Sequence, residues 1–151
     1  MKDYQLHTEQ FLPIPLDKAW SFFSSPQNLS KITPPELKFK IESNLQQSDI
    51  HNGMNIRYTV SPLLGIPLTW VTEITQVNQP SSFTDRQIVG PYKKWEHTHT
   101  FVPVDNGVMM YDLVKYQLPF SFLGKFAHWL FVRKKIETIF SYRKEVLTSI
   151  F

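Results

Sequence analysis

Phe83–Phe101 reads FTDRQIVGPYKKWEHTHTF, two alternating runs joined at Gly90-Pro91. Folded as a hairpin, the stretch places Phe83, Asp85 and Gln87 on one face of its first strand, with Trp95, His97, His99 and Phe101 on the facing run of its second. A face built only to pack a core would carry branched aliphatics. A buried carboxylate, amide or imidazole is costly unless a partner answers it. The pattern therefore points to a pocket-bearing domain in which one another, water or a ligand answers these polar groups.

The flanking sequence extends the sheet in both directions. Downstream, Val104-Asp105-Asn106-Gly107 is a hairpin turn signal, so Val108 to Leu118 should lie beside Trp95 to Phe101, with Met110, Asp112, Val114, Tyr116 and Leu118 inward. With Asn106-Gly107 as the two turn residues, Asp105 faces Val108, Phe101 faces Asp112, His99 faces Val114 and His97 faces Tyr116. That register favours His99 over His97 as the partner of Asp112. Upstream, Leu68 to Val77 should present Trp70, Thr72 and Ile74 inward, and Asn55 to Val60 should present Ile56, Tyr58 and Val60. Pro62 to Pro67 interrupts the two, and Phe39 to Leu45 adds a further strand. Tyr4 to Leu12 alternates and is closed by Pro13 and Pro15, as an edge strand would be. A short helix is predicted over Leu16 to Ser24 with Asp17 as N-cap, and a helical turn from Pro26 to Ile32.

After Pro119 the chain has no further proline and only one early glycine, Gly124. One long helix is expected there, starting between Ser121 and Lys125 and running to about Ser149. Leu123, Phe126, Leu130, Arg133, Ile136, Phe140 and Leu147 form its apolar stripe, and the basic residues Arg133, Lys134, Lys135, Arg143 and Lys144 are read as a solvated face.

With 151 residues, the chain is about the size of one domain. There is no cysteine, which removes disulfides, thiolate nucleophiles and thiolate metal sites. A net charge of +3 is too small to argue for nucleic acid. The N-terminal residues lack an apolar leader, and no stretch is long enough for a membrane span, which implies a cytoplasmic protein with no stable membrane insertion. No Ser-His-Asp nucleophile motif, phosphate-binding glycine loop or HExxH motif occurs, and no cofactor is indicated.

Strand, two short helices, about six antiparallel strands and a long C-terminal helix is the element order of an α+β, START-like helix-grip fold. The stretches FTDRQIVGPYKKWEHTHTF, NGVMMYDLVKYQLPF and LGKFAHWLFVRKKIETIFSYR resemble the bacterial ligand-binding and polyketide cyclase/dehydrase-like branch of the SRPBCC superfamily, over essentially the whole chain. The resemblance implies a curved sheet gripping the C-terminal helix, with a hydrophobic ligand held between them. Members of the superfamily bind lipids, sterols or plant hormones, or cyclise polyketides, so fold alone does not choose among these uses.

Asp85, Gln87, His97, His99 and Asp112 share inward parities on consecutive strands. They either orient a mostly apolar ligand or bond to one another and stiffen the sheet. Tyr58, Trp70, Trp95 and Tyr116 are candidate walls or plain aromatic core. Phe126, Leu130 and Arg133 are the expected contributions of the helix. No third histidine completes a metal site. The expected function is binding of a small hydrophobic molecule, lipid-like or polycyclic. The alternatives are a cyclase or dehydratase with His97 as general acid or base, and a protein-interaction module with a filled interior.

Overall fold

A computed structural model of the chain describes residues 3–43, 49–63, 65–119, 126 and 128–151. Seven strands form a single antiparallel sheet: β1 (Tyr4–Leu12), β2 (Lys40–Ile41), β3 (Asn55–Leu63), β4 (Ile66–Asn78), β5 (Ser82–Val89), β6 (Lys94–Val104) and β7 (Gly107–Gln117), in spatial order β1-β7-β6-β5-β4-β3-β2. The first strand is an edge, as its flanking prolines imply. Register shifts between Val60 and Leu63, Val71 and Thr72, and Ile74 and Gln76 mark bulges in the β3–β5 half. Bulges of this kind bend a sheet and give it a concave face.

That face is covered by α1 (Leu16–Phe23), a 3-10 segment (Pro26–Ile32) and the C-terminal helix α2 (Arg133–Ile150), which continues from a π-helical turn at His128–Val132. From α1, Trp20 sets its edge against Phe83 and Phe101. From α2, Ile136, Arg143 and Leu147 are buried and Phe140 is half-buried, a stripe at three-, four- and seven-residue spacing. The amide of Gln10 on β1 donates to the Lys144 carbonyl at 3.0 Å and to the Thr148 hydroxyl at 3.2 Å, tying the edge strand to the helix.

The structure differs from the sequence reading at several points. Asp17 is not the N-cap of α1; Pro15 holds that position in an extended conformation, and Asp17 sits in the first turn, where its carboxylate accepts the Lys18 N–H. An anion is favourable there too, which makes the two positions hard to separate by composition. Pro62 to Pro67 does not interrupt the sheet. β3 and β4 run through it to a hairpin with Leu63 opposite Ile66 and Gly65 at φ 69°. This hairpin projects past its neighbours, since β2 pairs only at Lys40 and Ile41 and β5 ends opposite Val71, so prolines remove no ladder bonds needed elsewhere. Of the strand expected over Phe39 to Leu45, the described part forms ladder pairs at Lys40 and Ile41, beyond which the Glu42 and Ser43 N–H groups both donate to the Arg57 carbonyl. Leu123 and the expected helix start between Ser121 and Lys125 lie outside the described residues.

The β6–β7 register is displaced by one pair from the expectation. The turn residues are Asp105 and Asn106, flanked by the pair Val104 and Gly107, and Asn106 supplies the positive φ of 66°. Gly107 is already in the strand. It is glycine for a different reason: a Cβ there would collide with the Leu12 carbonyl and the Phe11 ring. His99 therefore faces Asp112, and His97 faces Val114.

Candidate functional site

Three adjacent strands carry the polar cluster. Asp85 on β5 is opposite His97 on β6, and His99 on β6 is opposite Asp112 on β7. The hydrogen bonds run diagonally instead. His97 Nε2 lies 2.7 Å from Asp112 Oδ1, and His99 Nε2 lies 2.9 Å from Asp85 Oδ2. Diagonal partners across a ladder are within reach of long side chains. The partner expected for Asp112, His99, instead keeps its closest bond for Asp85, while its Nδ1 stands 3.4 Å from Asp112 Oδ1. Between them the two imidazole rings stack with centroids 3.7 Å apart.

Arg143 completes the cluster from α2. Its Nη2 lies 3.5 Å from Asp112 Oδ1 and donates to the Met110 sulfur, and its guanidinium lies over the Phe23 and Phe140 rings. It is only 7% exposed, so the sequence reading of Arg143 as part of a solvated basic face is wrong. The signal was present in the spacing: 136, 140, 143 and 147 make one helical stripe, and a charged residue within it needs a buried counter-charge.

The electrostatics follow from this geometry. Burial opposes ionisation of Asp112, but Arg143 and the two histidines overcome it and hold the carboxyl well below the usual carboxylate range. For His99, burial opposes protonation, yet its two carboxylate neighbours win and its pKa is raised. Burial, and then the neighbouring His99, keep His97 lowered despite its bond to Asp112. One cation of the stacked pair excludes a second.

A cavity of about 80 Å³ lies against this cluster. Its polar lining includes Asp85, His99 and Arg143, together with Tyr58 and Thr72. Its apolar wall comes from the sheet, through Ile56, Ile74 and Phe83, and from Phe22, Phe23 and Leu29. The first helix and the 3-10 segment thus form the roof that was expected of the C-terminal helix, and Phe22 and Phe23 face the space. An open groove of about 490 Å³ between β1 and α2 touches Asp112 and Arg143 from the other side.

The remaining candidates are distributed elsewhere. Tyr58 borders the cavity, and burial drives its hydroxyl pKa upward, so it stays neutral. Trp70, Trp95 and Tyr116 join Tyr92 in a belt of rings next to the cluster. Tyr92 was missed because it sits in the Gly90–Lys93 turn rather than on a strand. Gln87 is spent on that turn: its amide donates to the Tyr92 carbonyl at 2.6 Å and accepts the Tyr92 N–H at 3.1 Å. Phe126, Leu130 and Arg133 are exposed and do not line the cavity, and Arg133 pairs with Glu137 along its own helix.

Asp85, His97 and His99 place three potential ligand atoms within 4.8 Å of one another. The donor set does not suit a metal. Each histidine is engaged with a carboxylate, and a guanidinium stands beside them.

No family model and no curated relative matches the sequence. Among solved structures, the chain is similar to protein CV1439 from Chromobacterium violaceum, with a TM-score of 0.73 at 13% identity over 96% of this chain and 95% of that one. It is also similar to protein Ms6760 from Mycobacterium smegmatis, with a TM-score of 0.67 at 17% identity over 97% and 92%, and to Ara h 8.0201, with a TM-score of 0.64 at 15% identity over 98% and 99%. Likeness at such identities speaks to architecture alone. A curved seven-stranded antiparallel sheet closed by short early helices and a long C-terminal helix is the helix-grip fold, and this chain has it.

Proposed function

We propose that the protein binds a small, mainly apolar molecule in the cavity bounded by Phe22, Phe23, Ile56, Ile74, His99 and Arg143. The observation that carries this reading is the juxtaposition of an apolar wall with a charge-paired polar end in one partly open cavity. At about 80 Å³ the space is well below the roughly 300–1,000 Å³ typical of sites for drug-sized ligands. A small occupant fits as the walls stand, whereas a lipid-like or polycyclic one requires a larger space. Cyclase or dehydratase chemistry on a polyketide-like substrate needs that same enlargement and is the second reading, motivated by the Asp85-backed imidazole of His99 on the cavity wall.

Melting temperature measured against a panel of small apolar probes tests the proposal, since a ligand that binds only the folded state at about 100 times its Kd adds about 2.7 kcal/mol. Binders should raise the melting temperature of the parent and leave Ile74→Phe, in which a ring occupies the space, unmoved. A panel that shifts neither protein would refute the reading.

A further inference from the structure

At one end of the molecule, large apolar side chains are left outside the core. Leu130 and Phe131, leading into α2, are 39% and 66% exposed, and Leu68 and Ile66, on the β3–β4 hairpin, are 37% and 56% exposed. Leu68 and Ile66 share the alternation of the buried Trp70, so they continue the concave face of the sheet beyond it. Trp70 meets Tyr92 and Trp95 at ring-centroid distances of 5.7 and 5.5 Å, and Tyr92, Trp95 and Val132, the residue after Phe131, pack on one buried cluster around Tyr116. The belt of rings thus links the two exposed pairs, on one side of the sheet and at the end where β4 and β6 begin and β7 stops.

Cations frame both pairs. Lys134 and Lys135 stand one helical turn after Leu130 and Phe131, on the face turned away from the buried Ile136. Lys93 and Lys94 lead into β6 beside the belt, and the Lys38 ammonium reaches to 4.0 Å from the place a Cβ on Gly65 would take, at the hairpin tip. These five lysines are exposed, and none is ion-paired among the described residues. Of the acids at this end, Glu137 pairs with Arg133, Glu96 faces Lys115 across the ladder, and Asp3 accepts a hydrogen bond from the Gln117 amide.

We propose that this end docks on the surface of an anionic lipid bilayer, with Ile66, Leu68, Leu130 and Phe131 entering the boundary between headgroups and acyl chains and the lysines meeting lipid phosphates. An exposed apolar set rimmed by cations meets both requirements of an interfacial contact. Each lysine stem can lie along apolar surface while its ammonium stays at the level of the phosphates. A second copy of the chain suits this end less, because it would set lysines against lysines. The contact is peripheral, since no helix among the described residues is long and apolar enough to cross a membrane.

Cosedimentation of the full chain with vesicles tests this, using phosphatidylcholine alone and phosphatidylcholine with about a third phosphatidylglycerol. The protein should bind the mixed vesicles about tenfold or more tightly than the neutral ones, and the difference should shrink as salt rises. Phe131→Ser, and Lys134→Gln combined with Lys135→Gln, should each weaken binding to the mixed vesicles by about tenfold or more. Val104→Ser changes an apolar residue that is 42% exposed beside the β6–β7 turn, at the opposite end, and should leave binding unchanged. All these positions are exposed, so melting temperatures close to that of the parent should accompany every variant. Failure to bind the mixed vesicles, binding that Phe131→Ser leaves intact, or equal losses in Phe131→Ser and Val104→Ser would overturn the proposal. So would a concentration-dependent dimer that Phe131→Ser dissociates, which would assign the patch to a second copy. None of these readouts depends on what occupies the cavity.

Discussion

Where Trp70, Tyr92, Trp95 and Tyr116 cover the inner face of the sheet, ring meets ring at centroid distances of 4.8 to 6.0 Å. Where Ile56, Ile74, Phe83 and His99 cover it, the roof stands off and leaves about 80 Å³. Both regions have inward-facing aromatic rings from the same sheet, so aromatic content does not distinguish them. The polar cluster does. Free side chains of a core collapse toward close packing, whereas the diagonal His–Asp bonds and the Arg143 ion pair fix five side chains by directional contacts. A wall held in this way does not close to fill the gap beside it.

The largest effect should come from removing the cation. Arg143→Met leaves Asp112 buried without its strongest counter-charge and should cost about 3–5 kcal/mol in urea unfolding. Arg143→Met combined with Asp112→Asn should recover most of that loss, because the pair is removed together. Equal losses in the single and double variants would mean that packing of the Arg143 stem, not its charge, holds this end.

Adding bulk to each end sharpens the contrast. Val114 is fully buried in the cluster that includes Tyr116 and Ile136, so Val114→Phe should cost about 1–3 kcal/mol by overpacking. Ile74→Phe has adjoining space to enter and should cost less than about 1 kcal/mol. Parity between the two would show that the cavity does not accept a ring.

The smallest effect is in the pH dependence. The folded pKa of His99 lies above its ordinary 6.5, so its contribution to stability is complete below that value and is lost as pH rises through the raised one. The lowered pKa of His97 acts oppositely, costing stability as pH falls below 6.5. The stability difference between the parent and Asp85→Asn should therefore be greatest near pH 6 and shrink as pH rises, in urea midpoints taken between about pH 5.5 and 8.5. A difference that stays constant over this range would place the His99 proton elsewhere.

Strand parity alone brought Asp85, His97, His99 and Asp112 to one face, because side chains alternate on a strand with a period of two and an error of one whole pair in register preserves the face. The same error misassigned the partners. Asn106-Gly107 reads as a turn from its composition, and only the collision a Cβ at Gly107 would make with the Leu12 carbonyl shows that this glycine answers to the neighbouring strand. Arg143 was misread because positive charge on a helix is usually solvated, and its counter-charge, Asp112, is distant in sequence. The helix-grip element order was legible from alternation and one long helical stretch. The cavity roof was not, since Phe22 and Phe23 look alike whether they pack or line a space, and only the standoff of α1 from β3–β5 decides it.

The most direct measurement of the contrast between the two ends is a chemical-shift map of the backbone and histidine side chains during titration with cyclopentanol. The largest changes should fall at Phe22, Ile56, Ile74 and the His99 imidazole, with Trp95 and Tyr116 unmoved. Changes concentrated on Trp70, Trp95 and Tyr116, or none anywhere, would contradict the assignment of the binding site to the polar end.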